Sequence, residues 1–200
     1  MKKTTFIIIP GLWDQRPLFG LFYRGVGKWW GAHGMYTLVC PMHWISLETY
    51  RNKLARLEKM IDGQRAQGRE VVLVGVSAGG PVALLGLIRF GDKVRGAVTI
   101  NGLLALAPKD SKDKIYIKTS WYKAARASQK AALKAPARVK ERFLAITSAK
   151  DDLIETERAM LIGAAHKHII ARGHMSGIIA ALVVHPLLIR RFARGLSSRG

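Results

Sequence analysis

Apolar residues follow two rhythms along this chain. Short, nearly unbroken apolar runs occupy residues 4–9, 35–41, 70–74, 94–100, 142–147 and 167–171, and most are rich in β-branched side chains. Such runs, bounded by glycine, proline or charged residues, predict six strands. Between several of them the rhythm changes to one apolar residue every three or four. Leu47, Tyr50, Leu54, Leu57 and Ile61 lie on one helical face, with Ser46 placed to cap its start and Gly68 to end it after about Gln67. Residues 80–90 predict a second helix, where Pro81 is tolerated because it falls in the first turn. Residues 154–163 and 176–194 predict two more. The Gly- and Trp-rich stretch from Gly11 through Trp13, Trp29 and Trp30 reads as a loop.

Continuously apolar strands alternating with helices imply a parallel sheet buried on both faces. The expected fold class is α/β: a three-layer α/β/α sandwich around a mainly parallel six-stranded sheet, in one domain spanning residues 1–200. Two hundred residues are enough for a single sizeable core. The alternation pauses at residues 103–139, which hold Pro108, Pro136 and many lysines. This segment reads as a small cap or lid insertion with a helix or helix pair around residues 116–134. An ordinary surface excursion is the alternative. Lys112, Lys114, Lys118, Lys123, Lys130 and Lys134 make it basic.

Composition narrows the function. The one cysteine, Cys40, sits in an apolar run and excludes an internal disulfide. No Cys/His cluster has zinc spacing. Lys2 and Lys3 before Phe6–Ile9 resemble the start of a signal peptide, but the run is short and Pro10-Gly11 ends it. The apolar stretch at 178–189 is too short to span a bilayer and holds His185 and Pro186. A cytoplasmic location is expected. The formal net charge of +20 and a sequence pI near 10.7 point to an anionic substrate or a membrane surface as a partner. A basic surface that only maintains solubility is the plainer reading. There is no helix-turn-helix, zinc-finger or RNA-binding signature, so no specific nucleic-acid motif is present.

The candidate chemistry centres on Gly75-Val76-Ser77-Ala78-Gly79, at the join of a predicted strand and a predicted helix. A turn that tight brings the residues two before and two after the serine together, and glycine at both places avoids a Cβ clash. A serine hydroxyl is a poor nucleophile until a base takes its proton, and an imidazole base needs a carboxylate to fix its tautomer. The fifth predicted strand runs into Asp151 and Asp152, and the sixth into Gly173-His174. Serine, acid and histidine thus follow one another at successive strand ends, where ligands of parallel sheets bind. His33 and His43 precede the serine, His166 and His168 fall before or within the last strand, and His185 lies in the final helix.

The pieces "IIIPGLW", "VGVSAGG", "ITSAKDDLI" and "IIARGH" resemble the α/β-hydrolase superfamily over nearly the whole chain. The resemblance implies Ser77 as nucleophile, His174 as base and Asp151 as acid. Ser148, Asp151 and Ile154 match the Gly/Ser-x-x-Asp-x-x-Val/Ile form of the acid loop, and Asp152 remains the alternative acid. It also implies an oxyanion hole from the backbone N–H groups of Ala78 and Leu12, with Trp13 as another donor or a wall. Proline stands at Pro10 where the family often has histidine. Trp13, His43 and Trp44 follow strand ends and are candidates to line an acyl pocket. The implied activity is a serine hydrolase of the carboxylesterase, lipase or thioesterase type, acting on a small-molecule acyl substrate with no metal or organic cofactor. The alternative is a non-catalytic or weakly active member that binds anionic partners or membrane surfaces.

Overall fold

In a computed structural model, residues 3–107 and 119–196 are described. Six strands form one sheet in the order β2-β1-β3-β4-β5-β6, parallel throughout: β1 Thr4–Ile9, β2 Tyr36–Val39, β3 Glu70–Val76, β4 Gly96–Ile100, β5 Phe143–Lys150 and β6 Ala165–Arg172. The helices are α1 Pro17–Ala32, α2 Tyr50–Ala66, α3 Gly80–Phe90, α4 Ser120–Leu133, α5 Ala137–Lys140, α6 Thr156–Ala159, α7 His174–Ile179 and α8 Pro186–Gly195, with a π-helical segment Ala180–Val184 continuing α7.

The side chains of each strand alternate between two cores. Ile7, Ile9, Val71 and Leu73 pack with Leu54, Leu57 and Ile61 of α2 and Val82, Leu84 and Leu87 of α3. Phe6, Ile8, Val72 and Val74 turn the other way, onto Tyr23, Val26 and Trp30 of α1 and onto Ile178, Leu182 and Ile189 of the C-terminal helices. The Trp30 ring meets Phe6 edge-on, 5.8 Å between centroids, and its indole N–H donates to the Leu182 carbonyl at 2.6 Å. The three-layer expectation therefore holds.

Four local expectations need correction. Residues 17–32 are helix, not loop. Pro17 opens α1, and Phe19, Tyr23, Val26 and Trp30 supply its buried stripe, which four glycines within the helix obscure in the sequence. Helix α2 starts at Tyr50, because Thr49 and not Ser46 is its cap, its Oγ1 accepting from the Asn52 N–H at 3.2 Å. Leu47 is consequently outside the helix and fully exposed. The helix expected over 154–163 is reduced to the single turn α6. The final helix is not continuous: α7 and α8 meet at a 65° bend beside His185 and Pro186. No single described helix is long and apolar enough to cross a membrane.

Candidate active site

Strand β3 ends at Val76, and a single 3₁₀ turn, Ser77–Gly79, leads into α3. Ser77 has φ +49°, in the left-handed region, which costs a non-glycine residue about 1–2 kcal/mol. Packing holds it there. A methyl group on Gly75 would lie 2.5 Å from the Gly79 carbonyl oxygen, and one on Gly79 would lie 2.1 Å from that of Ile9. The close approach expected of this pentapeptide is thus present, and β1 presses against the same turn. Strained backbone at a half-buried serine over the sheet's carboxyl edge marks a candidate functional residue.

His174 opens α7 and is buried. Its Nε2 lies 2.8 Å from Ser77 Oγ and its Nδ1 2.8 Å from Asp151 Oδ2. One tautomer satisfies both contacts: Nδ1–H donates to the carboxylate, and Nε2 accepts from the serine hydroxyl. The Asp151 side chain is only 4% exposed, and its other oxygen accepts the backbone N–H groups of Leu153 and Ile154 at 2.8 and 2.9 Å. A carboxylate held this way is fixed in place. Asp152 points elsewhere. Its Oδ1 accepts the backbone N–H of His174 at 2.6 Å, which holds its carboxyl below the ordinary value. The two acids therefore divide the work, Asp151 on the imidazole and Asp152 on the main chain of the same histidine.

One residue of this assembly has no place in the sequence argument. Asn101, at the end of β4, is buried with φ +45°. Its Nδ2 donates to Ser148 Oγ at 2.8 Å and to the His174 carbonyl at 3.0 Å, and its Oδ1 accepts the Ser148 N–H at 2.9 Å. Ser148 Oγ donates in turn to the Gly173 carbonyl at 3.3 Å. The acid loop and the histidine loop are thus fastened to the end of β4. The only signal in the sequence is an Asn-Gly pair directly after an apolar strand, which reads as an ordinary turn.

The loop after β1 lies against the serine: a methyl group at Gly11 would sit 3.1 Å from Ser77 Cβ. Half-buried Leu12 is the next residue in this loop. Ala78 lies in the first turn after the strand, where N–H groups lack helical acceptors. Trp13 is 44% exposed with φ +71°, and the Arg16 guanidinium stacks 4.3 Å from its ring centre. Trp44 is fully buried, and its indole N–H donates to the Pro10 carbonyl at 3.0 Å. It supports the loop from within the core. His43 is half-buried with φ +48°.

Asp14 and Lys53 explain that conformation. Asp14 Oδ2 accepts the N–H groups of Met42 and His43 at 2.6 and 2.8 Å. The fully buried Lys53 ammonium donates to the carbonyls of the same two residues and to Ser46 Oγ. Burial lowers the Lys53 pKa. The carboxylate and the ammonium clamp the peptide groups of Met42 and His43, and Asp14 ties them to the loop that carries Leu12. Both had faint signals: Asp14 is the one acid before Glu48, and Lys53 falls on the apolar face of its helix.

The remaining histidines stand apart from Ser77. His33 Nδ1 contacts the Trp29 carbonyl, and His166 and His168 both contact Thr147 Oγ1 from strand β6. His185 sits exposed at the bend before α8. Of the lysines assigned to the insertion, Lys123, Lys130 and Lys134 lie on or just after α4. Lys112, Lys114 and Lys118 lie outside the described residues, as do residues 108–118 of the insertion as a whole.

This sheet order, with a strained serine after β3 and a histidine after β6, defines an α/β-hydrolase fold. Solved structures agree. One, of the metagenome-derived lipolytic enzymes LipS and LipT, superposes with TM-score 0.70 at 14% identity, covering 99% of this chain and 95% of that one. Est1E from Butyrivibrio proteoclasticus gives 0.64 at 14% identity, covering 99% and 89%. The serine hydrolase CarC, involved in carbazole degradation, gives 0.59 at 16%, covering 98% and 92%. No family model matches the sequence, and no curated protein does.

Proposed function

We propose that this protein is a serine hydrolase that cleaves an ester, thioester or related acyl bond through a covalent acyl-enzyme. The observation that carries this reading is the unbroken line of two 2.8 Å contacts from Ser77 Oγ through His174 to a nearly buried Asp151. In it Val76-Ser77-Ala78 is a nucleophile elbow and Ser77, His174 and Asp151 are a catalytic triad.

His174 Nε2 takes the hydroxyl proton as Ser77 Oγ bonds to the acyl carbon. Asp151 stabilises the imidazolium so formed. The carbonyl oxygen gains negative charge, which the N–H groups of Ala78 and Leu12 receive. His174 then gives its proton to the leaving group. A water molecule, deprotonated by the same imidazole, releases the acid and restores the serine. The chemistry uses this chain's own groups at every step. The lipolytic and serine-hydrolase descriptions of the structural neighbours are in keeping with it.

The test is turnover of nitrophenyl esters of graded acyl length. Wild type should release nitrophenol in steady state, and Ser77→Ala should lower the rate by at least about 10⁴-fold. Equal rates for the two proteins would refute the reading. Binding of esters without turnover would favour the alternative, a binding protein on this fold.

A further inference from the structure

The thirteen acidic residues are unevenly placed: none lies in residues 15–47 or 158–200. In the fold, these two segments come together. They supply α1, the edge strands β2 and β6, and α7 with its π-helical extension and α8. Among the described residues, helices α1, α7 and α8 pack on the core of Phe6, Ile8 and Val74 and cover one face of the sheet. The outer surface of that layer is cationic, with Arg24, Lys28, Arg191 and Arg194 all exposed.

The same surface is also apolar. On α1, Leu18 is 73% exposed, Leu21 59% and Trp29 44%. Along α7 and its extension, Met175, Ile179 and Val183 recur every fourth residue and are all exposed, as is Val184 at 67%. The two stripes meet, because the Trp29 indole N–H donates to the Val183 carbonyl at 2.8 Å. Both also begin at the site. Helix α1 follows the loop of Leu12 and Trp13, and α7 begins with His174 itself.

We propose that the outer face of α1 and α7–α8 docks this protein onto an anionic phospholipid bilayer, with the mouth of the Ser77 site at the lipid surface. The chemistry selects this occupant over two others. Nucleic acid would use the cations but leave the Leu, Ile and Val side chains without partners. A second copy meeting face to face would oppose two acid-free cationic layers. A bilayer satisfies both features: acyl chains receive the apolar stripes, and anionic headgroups receive the surrounding Arg and Lys. Docking is separate from the proposed hydrolysis and does not require the serine to react.

The test is co-sedimentation of the full chain with vesicles of phosphatidylcholine alone or mixed with phosphatidylglycerol. Wild type is expected to bind the mixed vesicles at least about tenfold better, with part of that preference lost in high salt. Leu18→Gln/Leu21→Gln should weaken partition to mixed vesicles at least about tenfold. Val184→Gln, on the other stripe, should weaken it several-fold, and Arg24→Gln/Lys28→Gln should remove much of the anionic preference. These side chains are exposed, so fluorophosphonate labelling of Ser77 should be unchanged and serves as the check on folding. Three outcomes overturn the proposal. One is the absence of binding to mixed vesicles at low salt. Another is binding that both apolar variants leave intact, which is charge alone. The third is a different occupant, read as tighter binding to an oligonucleotide or as a dimer that Leu18→Gln/Leu21→Gln disperses. A failure of labelling with vesicle binding intact would count against the hydrolase reading alone.

Discussion

His174 receives four restraints, and each has a separate expected cost. Asp151 holds the ring, Asp152 the backbone N–H and Asn101 the backbone carbonyl, while Ser77 faces Nε2. Asp151→Asn removes the charge that stabilises the imidazolium and should lower kcat by about 10³–10⁴-fold. Asp152→Asn should cost about tenfold or less, because it loosens the loop and leaves the ring's partner in place. Comparing the two variants in ester hydrolysis checks the division of labour; equal losses would contradict it. Asn101→Ala leaves Ser148 and the His174 carbonyl without their partner, at about 1–3 kcal/mol of stability by denaturant unfolding. As a positioning residue, Asn101 should lower kcat more than it changes KM. The sequence points to Ser77, Asp151 and His174 because order and strand ends constrain the groups of the proposed triad. It is silent on Asn101, whose role rests on contacts 47 and 73 residues away.

At the scale of elements, the turn between β3 and α3 is the tightest constraint. Gly79→Ala would drive a methyl group into the Ile9 carbonyl, so strand β1, the Leu12 loop and Ser77 must all shift. The expected result is a loss of at least about 2–3 kcal/mol in unfolding free energy together with most of the activity. A stable, active Gly79→Ala protein would contradict the packing described. The strands are legible in the sequence because burial on both faces leaves unbroken apolar runs. Helix α1 is not, since four glycines and a leading proline imitate a loop while tertiary burial of Tyr23, Val26 and Trp30 holds the helix. The cap of α2 is misplaced by three residues for a similar reason. Ser46 and Thr49 are equally good caps by type, and Ser46 Oγ is engaged by the His43 carbonyl and Lys53.

For the whole molecule, buried acidic hydroxyl and thiol groups set the alkaline limit. Burial pushes the Cys40 thiol from 9.0 up to about 12, and raises the hydroxyls of Tyr23 and Tyr50 above their ordinary 10.0. Each group's folded value exceeds its unfolded one. Its stabilisation is therefore complete below the unfolded value and lost as pH rises toward the folded value. Lys53, with a lowered value, acts in the opposite sense as pH approaches 10.5. Unfolding free energy should fall from pH 9 upward, by about 1.4 kcal/mol per pH unit for Cys40 alone. Cys40→Ala should flatten the first part of that fall; an unchanged slope would contradict the burial of the thiol. The α/β layering is visible in the sequence as alternation. The acid-free layer is visible only after folding, because it joins two stretches from opposite ends of the chain.

Whether Ser77 is a nucleophile activated by His174 is decided by locating a covalent adduct. The full-length protein is treated with a fluorophosphonate, digested and read by mass spectrometry. The expected result is a single phosphonyl group, on Ser77, absent after heat denaturation and nearly absent in His174→Ala. An unmodified Ser77 in folded wild type, or equal modification in His174→Ala, would contradict it.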